Sequence, residues 1–391
     1  MGGVIVRARS RILHGHDWIY RSEIVKTFGK IEDGDVVSIR DCKDNFLGSG
    51  IYSLKSPIAV RRFSRSRQRL DSDFLRRRIV RAWELRKRSG VDGRPCRVFW
   101  SEADGLPGLI LDKYGENLVL QTLTAGVERE KRLISEVAME VVGARNVFER
   151  NDAVGRASEG LPRIAGPLIV QDNGMEEGKV DFELNGVRFE ADLLRGQKTG
   201  FYLDQVENYS EVAQFACGKR VLDCFCNGGG FGIFCALRGA TEVVGVDSSE
   251  VACELARKNA GMNGVSCRFE EGDVFDFMRR EARQGRVYDL IVLDPPPFAR
   301  SGTSPSIALR AYRDLHRCAG QLLTAGGLLA TFCCSQNIGA EDFLGAIAEG
   351  LWDAGKTARV VRGLSQPPDH PVLVHIPETN YLKGYILEIL R

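Results

Sequence analysis

The sequence predicts an α/β protein in three parts: a small N-terminal β-barrel over 1–72, a central α/β domain over 73–190, and a doubly wound, seven-stranded sheet over 191–391. Three observations lead there. With 391 residues, 43% of them hydrophobic, the chain can bury more than one core. Short strand-like runs broken by turn residues fill the beginning, whereas apolar strands alternating with amphipathic helices follow Ala191. The first strand of that alternating region runs directly into a glycine-rich turn, as in sheets that bind a ligand at their carboxyl edge.

In the N-terminal part, Asp33-Gly34 and Gly48-Ser49-Gly50 supply turns, and Val36-Val37-Ser38-Ile39 alternates as a strand does. From Asp71 to about Ser89, Phe74, Leu75, Ile79, Trp83 and Leu85 recur at helical spacing, so a helix leaves the barrel. Leu109-Ile110-Leu111-Asp112 and Leu118-Val119-Leu120-Gln121 read as strands of the central domain, with a helix around Glu128 to Val142. The strands expected in the C-terminal part are 220–225, 242–246, 267–271, 288–293, 327–332, 358–364 and 384–390, with helices between them. Chemistry should lie just past the strand ends, where such sheets hold their ligands.

Composition narrows the setting. No apolar stretch approaches the roughly 20 residues of a membrane span, and Met1 to Ser10 lacks the apolar core of a signal peptide. Eleven cysteines, an odd number, show no CxxC pairs at metal-ligand spacing. A cytoplasmic protein without membrane, metal or disulfide framework is expected. Charge is uneven: residues 1–90 hold 21 basic and 10 acidic side chains, a net of +11, which leaves −9 for the remainder of a chain of net +2. A basic module beside an acidic one suits a protein that grips phosphates with one part and holds a cationic ligand with the other. Arg61, Arg62, Arg65 and Arg67, in a run that continues through Arg69, Arg76, Arg77 and Arg78 to Arg81, are the expected nucleic-acid contacts, although such a run can also be a solvated strand end followed by a charged helix face.

The glycine-rich turn is Asp223-Cys224-Phe225-Cys226-Asn227-Gly228-Gly229-Gly230-Phe231-Gly232. Phe225, Asn227, Gly228 and Gly229 should approach a ligand there, because glycine lets the backbone come close and turn into a helix. Asp247, followed by Ser248, ends the next strand, where a carboxylate can accept both hydroxyls of a ribose. Asp273, followed by Val274, ends the third, where it can accept from an adenine amino group. Asp294 ends the fourth. A pyrophosphate would be repelled by Asp223, and the turn lacks the G-x-G-x-x-G spacing, so S-adenosylmethionine, with its ammonium and sulfonium, is the expected cofactor and a dinucleotide is disfavoured. Asp223 can alternatively serve only as a helix cap.

Asp294-Pro295-Pro296-Pro297-Phe298 presents a carboxylate and an aromatic ring from a loop stiffened by proline. Such a loop suits a flipped base: Phe298 on its face, and Pro295 or Asp294 at its edge. The next strand ends in Thr331-Phe332-Cys333-Cys334-Ser335. A thiolate there can add to C6 of a pyrimidine and turn C5 into a nucleophile towards a sulfonium methyl. Strand alternation puts the two thiols on opposite faces, so only one of the pair should point into the site. The remaining cysteines read as packing. His370, in Pro367-Pro368-Asp369-His370-Pro371, is a candidate substrate contact or a structural turn residue.

With these residues in view, the chain resembles the large-subunit ribosomal RNA cytosine-5 methyltransferases that carry an N-terminal PUA domain. The likeness runs through His16-Asp17-Trp18-Ile19-Tyr20, Glu102-Ala103-Asp104-Gly105-Leu106-Pro107-Gly108-Leu109, Gly196-Gln197-Lys198-Thr199-Gly200-Phe201-Tyr202-Leu203-Asp204-Gln205, Asp294-Pro295-Pro296, Thr331-Phe332-Cys333-Cys334-Ser335, Asp369-His370-Pro371 and Tyr381-Leu382-Lys383-Gly384. It implies a PUA barrel, a class I methyltransferase sheet of Rossmann-like form, Cys334 as nucleophile, and Asp294 at the cytosine N3 and amino edge. It also implies that Phe201 to Gln205 closes over the cofactor, with Lys198 on the substrate side. Pro297 stands where a Lys is common and Cys333 where a Ser is common, so the substrate can differ from the best-known member's.

The implied partner is large-subunit ribosomal RNA or a precursor particle, and a homodimer is compatible with the sequence. Two other functions fit parts of the pattern. A guanine N2 or N7 methyltransferase would use Asp-Pro-Pro-Phe without a thiol, and a non-catalytic RNA-binding assembly factor would use the basic module alone.

Overall fold

A computed structural model describes residues 2–172, 175–298 and 304–390. The chain packs into two compact units. The first comprises Met1–Phe182, Ala191–Leu203 and Pro368–Thr379, and the second Glu183–Glu190, Asp204–Pro367 and Asn380–Arg391.

In the first unit, β1 (Gly3–Val6), helix α1 (Ser10–Leu13), β2 (Trp18–Tyr20), β3 (Ile24–Phe28), β4 (Val36–Asp41), β5 (Phe46–Tyr52) and β6 (Ile58–Ser64) come first. The six strands form one sheet in the order β2-β6-β5-β4-β1-β3. Alternation along β4 buries Val37 and Ile39, which join Val4, Val6, Ile19 and Val60 in a small core. Helix α2 (Ser72–Arg88) begins where Asp71 accepts from the Phe74 amide at 2.9 Å, the usual N-cap arrangement. Its apolar face, with Phe74, Leu75, Ile79 and Trp83, belongs to a second core.

That core backs a five-stranded sheet of β7 (Cys96–Trp100), β8 (Leu109–Tyr114), β9 (Asn117–Thr122), β10 (Asn146–Asn151) and β11 (Ile164–Ile169), ordered β11-β10-β9-β8-β7. Helices α3 (Ala125–Arg129) and α4 (Lys131–Val142) separate β9 from β10. The late segment 368–379 returns to this unit. There Asp369 accepts from the Arg97 amide at 2.8 Å through Oδ2, and its carbonyl accepts from Arg86 Nη2 at 2.8 Å. Arg86 is fully buried, and its charge is balanced by a two-pronged pair with Asp104 at 2.7 and 2.8 Å. A hairpin of β12 (Lys179–Leu184) and β13 (Val187–Asp192) follows β11 in the chain.

The second unit is the doubly wound sheet. Its elements are α5 (Val206–Ala213), β14 (Arg220–Cys224), α6 (Gly230–Leu237), β15 (Glu242–Asp247), α7 (Glu250–Met262), β16 (Arg268–Glu271) and α8 (Val274–Arg283). They continue with β17 (Tyr288–Leu293), α9 (Pro305–Leu322), β18 (Leu323–Cys333), α10 (Ala340–Asp353), β19 (Ala358–Ser365) and β20 (Lys383–Ile389). The strand order is β16-β15-β14-β17-β18-β20-β19, with β20 antiparallel to both of its neighbours. All seven expected strands are present. Strand order reverses between β14 and β17, which opens a crevice at their carboxyl ends. Fully apolar strands such as Leu290-Ile291-Val292-Leu293 are buried because helices cover both faces.

Candidate active site

Three carboxylates occupy the first half of the sheet's carboxyl edge, and each is tied to backbone amides. Asp223, inside β14, is fully buried; its Oδ2 accepts from the Gly232 amide at 2.9 Å, while Oδ1 has no hydrogen-bond partner among the described residues. Burial, and secondarily the nearby carboxylates of Asp294 and Asp247, push its pKa up to about 8. Asp247 accepts from the Asn227 amide and the Ser249 amide, each at 3.0 Å. Asp273 caps α8 by accepting from the Asp276 amide at 3.0 Å. Beside it Ser248 is exposed and Val274 buried.

The glycine-rich turn between β14 and α6 is held in an uncommon shape. Phe225, Asn227 and Gly229 have φ of 63°, 44° and 82°. For the aromatic Phe225 that left-handed conformation costs about 1–2 kcal/mol, a strain found mostly where function demands it. A β-carbon on Gly230 would lie 2.6 Å from the Tyr209 ring, so glycine is required for the helix to start there.

The second half of the edge is built from side chains that meet one another. Asp294 follows β17 and accepts from Gln205 Nε2 at 2.9 Å through Oδ1. Gln205 is itself held by Asn208, which donates to Gln205 Oε1 at 2.6 Å and to the Ser365 carbonyl at 3.1 Å. Cys333 is fully buried in the core, whereas Cys334 is half-buried and its thiol points to the Pro295 carbonyl at 3.9 Å. Alternation separates the pair as expected, and the outward thiol lies against the Asp-Pro-Pro loop. Phe298 packs edge-on against Tyr312, with ring centres 4.9 Å apart, so part of its surface is committed to the interior.

Lys383 joins the site; its stretch Tyr381-Leu382-Lys383-Gly384 carries part of the family likeness, but no role for the lysine follows from it. It extends from β20, opposite Cys333 in the strand register, and donates to the carbonyls of Ser335 and Ile338 at 2.8 and 2.9 Å. Burial lowers its pKa, against the pull of the two adjacent thiols. Pairing in the antiparallel strand is what brings this lysine to the cysteine turn, and spacing alone does not reveal it. His316 is a residue without a sequence signal. It is fully buried between the Tyr312 carbonyl and Thr331 Oγ1, and burial pushes its pKa down to about 4, so it is neutral.

Several expected contacts belong to the first unit, and some of them are corrected by its packing. Arg62 is not available to a nucleic acid: it is 5% exposed, pairs with Asp17 at 2.8 Å, and also donates to the carbonyls of Leu47, Ile12 and His16. Arg61 is bound at 2.6 Å to the buried Glu159. A guanidinium spent on internal carboxylates and carbonyls has little left for phosphates. Arg65 and Arg67 are exposed. His370, 1% exposed and 3.1 Å from Asp369, is a structural residue of the returning segment rather than a substrate contact. Phe201 is buried against Phe182, with ring centres 5.2 Å apart, and Lys198 is exposed with its ammonium over the Tyr202 ring.

Chemically, the second unit joins a carboxylate edge suited to a cationic nucleoside with a thiol suited to nucleophilic addition. The buried Asp223 Oδ1, without a hydrogen-bond partner among the described residues, and the remaining acceptor capacity of Asp247 fit the ammonium and ribose of S-adenosylmethionine. Among the described residues no group of three or more His, Cys, Asp or Glu side chains is placed to hold a metal, and no helix is long and apolar enough to cross a membrane.

Comparisons with known proteins agree with this geometry. Residues 172–382 match the S-adenosylmethionine-dependent methyltransferase family model, and residues 6–65 match a PUA-like domain. A protein of Aeromonas hydrophila named ribosomal RNA large subunit methyltransferase I is 37% identical, the alignment covering 98% of each chain. A protein of the same name from Aeromonas salmonicida is 38% identical, again with 98% of each chain covered. A solved structure described as a candidate methyltransferase complexed with SAH superposes with a TM-score of 0.86, covering 99% of this chain and 100% of its own. Its identity is 21%, so it shows the fold alone.

Proposed function

The chain belongs to the S-adenosylmethionine-dependent methyltransferases and carries a PUA-like domain at its N-terminus, and from that membership we propose that it forms 5-methylcytidine in large-subunit ribosomal RNA, in the cytoplasm. The observation that carries this proposal is the pairing of a half-buried Cys334 with the Asp294–Pro295 loop, 3.9 Å from thiol to carbonyl. A guanine enzyme has no use for that thiol. The names of the relatives support ribosomal RNA as the substrate, and the matches over 6–65 and 172–382 support an N-terminal PUA-like module and a C-terminal catalytic module, within a proposed division into a barrel over 1–72, a central domain over 73–190 and a catalytic domain over 191–391.

S-adenosylmethionine supplies an electrophilic methyl group. On the protein side, Asp223 and Asp247 would hold its charged and hydroxyl groups, and the strained turn from Phe225 to Gly229 would let the protein backbone approach it. Asp294, oriented by Gln205, meets the cytosine edge: its carboxylate accepts from the amino group. The Cys334 thiolate forms a bond to C6, and the displaced electron pair makes C5 nucleophilic. C5 takes up the methyl group that the bound donor would supply. A base then removes the C5 proton; that electron pair restores the C5–C6 double bond and expels the thiolate, leaving Cys334 unchanged.

Incubating the protein with labelled cofactor and unmodified large-subunit ribosomal RNA, then digesting the RNA to nucleosides for mass spectrometry, tests the proposal. Labelled 5-methylcytidine is the expected product. Labelled methylguanosine would overturn it in favour of a guanine enzyme, and binding of cofactor without any labelled product in naked RNA or precursor particles would favour an assembly factor.

A further inference from the structure

A cavity of about 550 Å³ lies wholly within the first unit, between the end of β6, one face of α2, the turn 102–105 and the returning segment near His375. Its helical wall is made by positions 78, 81, 82, 85 and 88, the three- and four-residue spacing that keeps side chains on one face. Arg78, Arg81 and Arg88 therefore form a ridge spanning ten residues, about 15 Å at 1.5 Å per residue. Arg65 completes it from the barrel side. Gly15, at φ 106°, lets this side chain and His375 converge, since a β-carbon there would stand 3.1 Å from both Arg65 Nη2 and the His375 ring.

The charge balance inside the cavity is lopsided. Its three acids are already engaged: Asp17 with Arg62 at 2.8 Å, Asp104 with the fully buried Arg86 at 2.7 Å, and Glu102 with the Trp18 indole at 2.8 Å and with Ser101. Burial also raises the pKa of Asp17, which weakens it further as a counter-ion. By contrast, Arg65, Arg78, Arg81 and Arg88 form no ion pair among the described residues. Arg78 donates to the Phe63 carbonyl and Arg88 to the Glu84 carbonyl, both neutral acceptors. Burial and the neighbouring Arg81 and Arg77 lower the Arg78 pKa, outweighing the opposite pull of Asp17.

We infer that this cavity is a phosphate-binding cleft for an RNA backbone, with Arg65, Arg78, Arg81 and Arg88 as its contacts. The inference rests on the RNA-methyltransferase proposal above and adds where the RNA strand is gripped. Three of the four arginines lie beyond the PUA-like segment 6–65, so the grip is shared between the barrel and the helix that leaves it. At a rise of about 3.4 Å per phosphate along one strand, the ridge can follow roughly four stacked nucleotides. Contacts of this kind position RNA without reading sequence, so the cleft contributes affinity and register rather than choice of the target base.

Binding of unmodified large-subunit ribosomal RNA is measured as a function of salt for the full-length wild type, for Arg65→Gln/Arg81→Gln/Arg88→Gln, and for the control Arg132→Gln/Arg359→Gln, which removes charge at exposed sites elsewhere. Each phosphate deprived of its arginine should reduce the slope of log affinity against log salt by about 0.7 to 0.9. The triple variant should therefore lose about 2 to 3 from the slope and bind at least roughly tenfold more weakly at low salt, while S-adenosylmethionine binding by calorimetry and the melting curve stay at wild-type values. The control should keep the wild-type slope. A triple variant with an unchanged slope, or a control that loses as much, overturns the cleft and leaves the methyltransferase proposal standing. A wild type with no salt-dependent RNA binding removes both.

Discussion

The two halves of the sheet's carboxyl edge are built on different principles. At the ends of β14, β15 and β16, carboxylates are fixed by backbone amides: Gly232 for Asp223, Asn227 and Ser249 for Asp247, and Asp276 for Asp273. At the ends of β17 and β18, position is set by side chains, with Asn208 holding Gln205, Gln205 holding Asp294, and Lys383 holding the turn after Cys334. Amide anchors survive side-chain substitution, so the first half can stay constant while the second is retuned for another base. Position is written into the backbone in the first half and into exchangeable side chains in the second.

The sharpest way to break that comparison is at the thiols. Cys334→Ser should lower turnover by about 10³-fold or more while cofactor binding persists, as expected when a nucleophile is removed. Cys333→Ser, which places a hydroxyl in the core, should instead cost about 1–2 kcal/mol of stability and leave turnover nearly intact. Equal losses of turnover in both would remove the assignment of Cys334. A smaller effect is expected at Lys383. Lys383→Met should slow iodoacetamide labelling of Cys334 at neutral pH by about three- to tenfold, with recovery in Lys383→Arg, because a nearby cation favours the thiolate. Labelling at the wild-type rate in Lys383→Met would mean that the lysine only fastens the turn.

The smallest effect concerns the amide-anchored half. Asp223, with its pKa pushed up to about 8 by burial, keeps in the folded state a proton that the unfolded chain has released above its ordinary value of 3.8. Its contribution to stability is thus full below about pH 4 and falls as pH rises towards 8. Asp223→Asn, neutral throughout, should shrink the difference in melting temperature between about pH 5 and about pH 8.5 by roughly 2–4 °C. Parallel pH curves for the two proteins would show that Asp223 is ionised in the fold.

Much of this edge is legible in the sequence because it is local. Fully apolar strands, a glycine-rich turn and a terminal aspartate each lie within a few residues, and the two faces of Cys333 and Cys334 follow from strand alternation. The features that are not legible depend on partners far away in the chain. Arg62 looks like Arg65 in a run of arginines, but Asp17, 45 residues earlier, makes it a buried strut. Lys383 acquires its role only because β20 runs antiparallel beside β18. His370 looks like a functional loop residue, yet Asp369 beside it fastens to Arg97, 272 residues earlier in the chain. No periodicity records such pairings.

Arg86 and Arg97 draw part of their stabilisation from Asp369, which lies 283 and 272 residues further along the chain. During synthesis at about 5–20 residues per second, that is a delay on the order of tens of seconds. Throughout it the nascent first unit contains a guanidinium whose last carbonyl acceptor has yet to be made. The first unit therefore reaches its final form only after residue 369 has been made, so synthesis of most of the second unit precedes completion of the first.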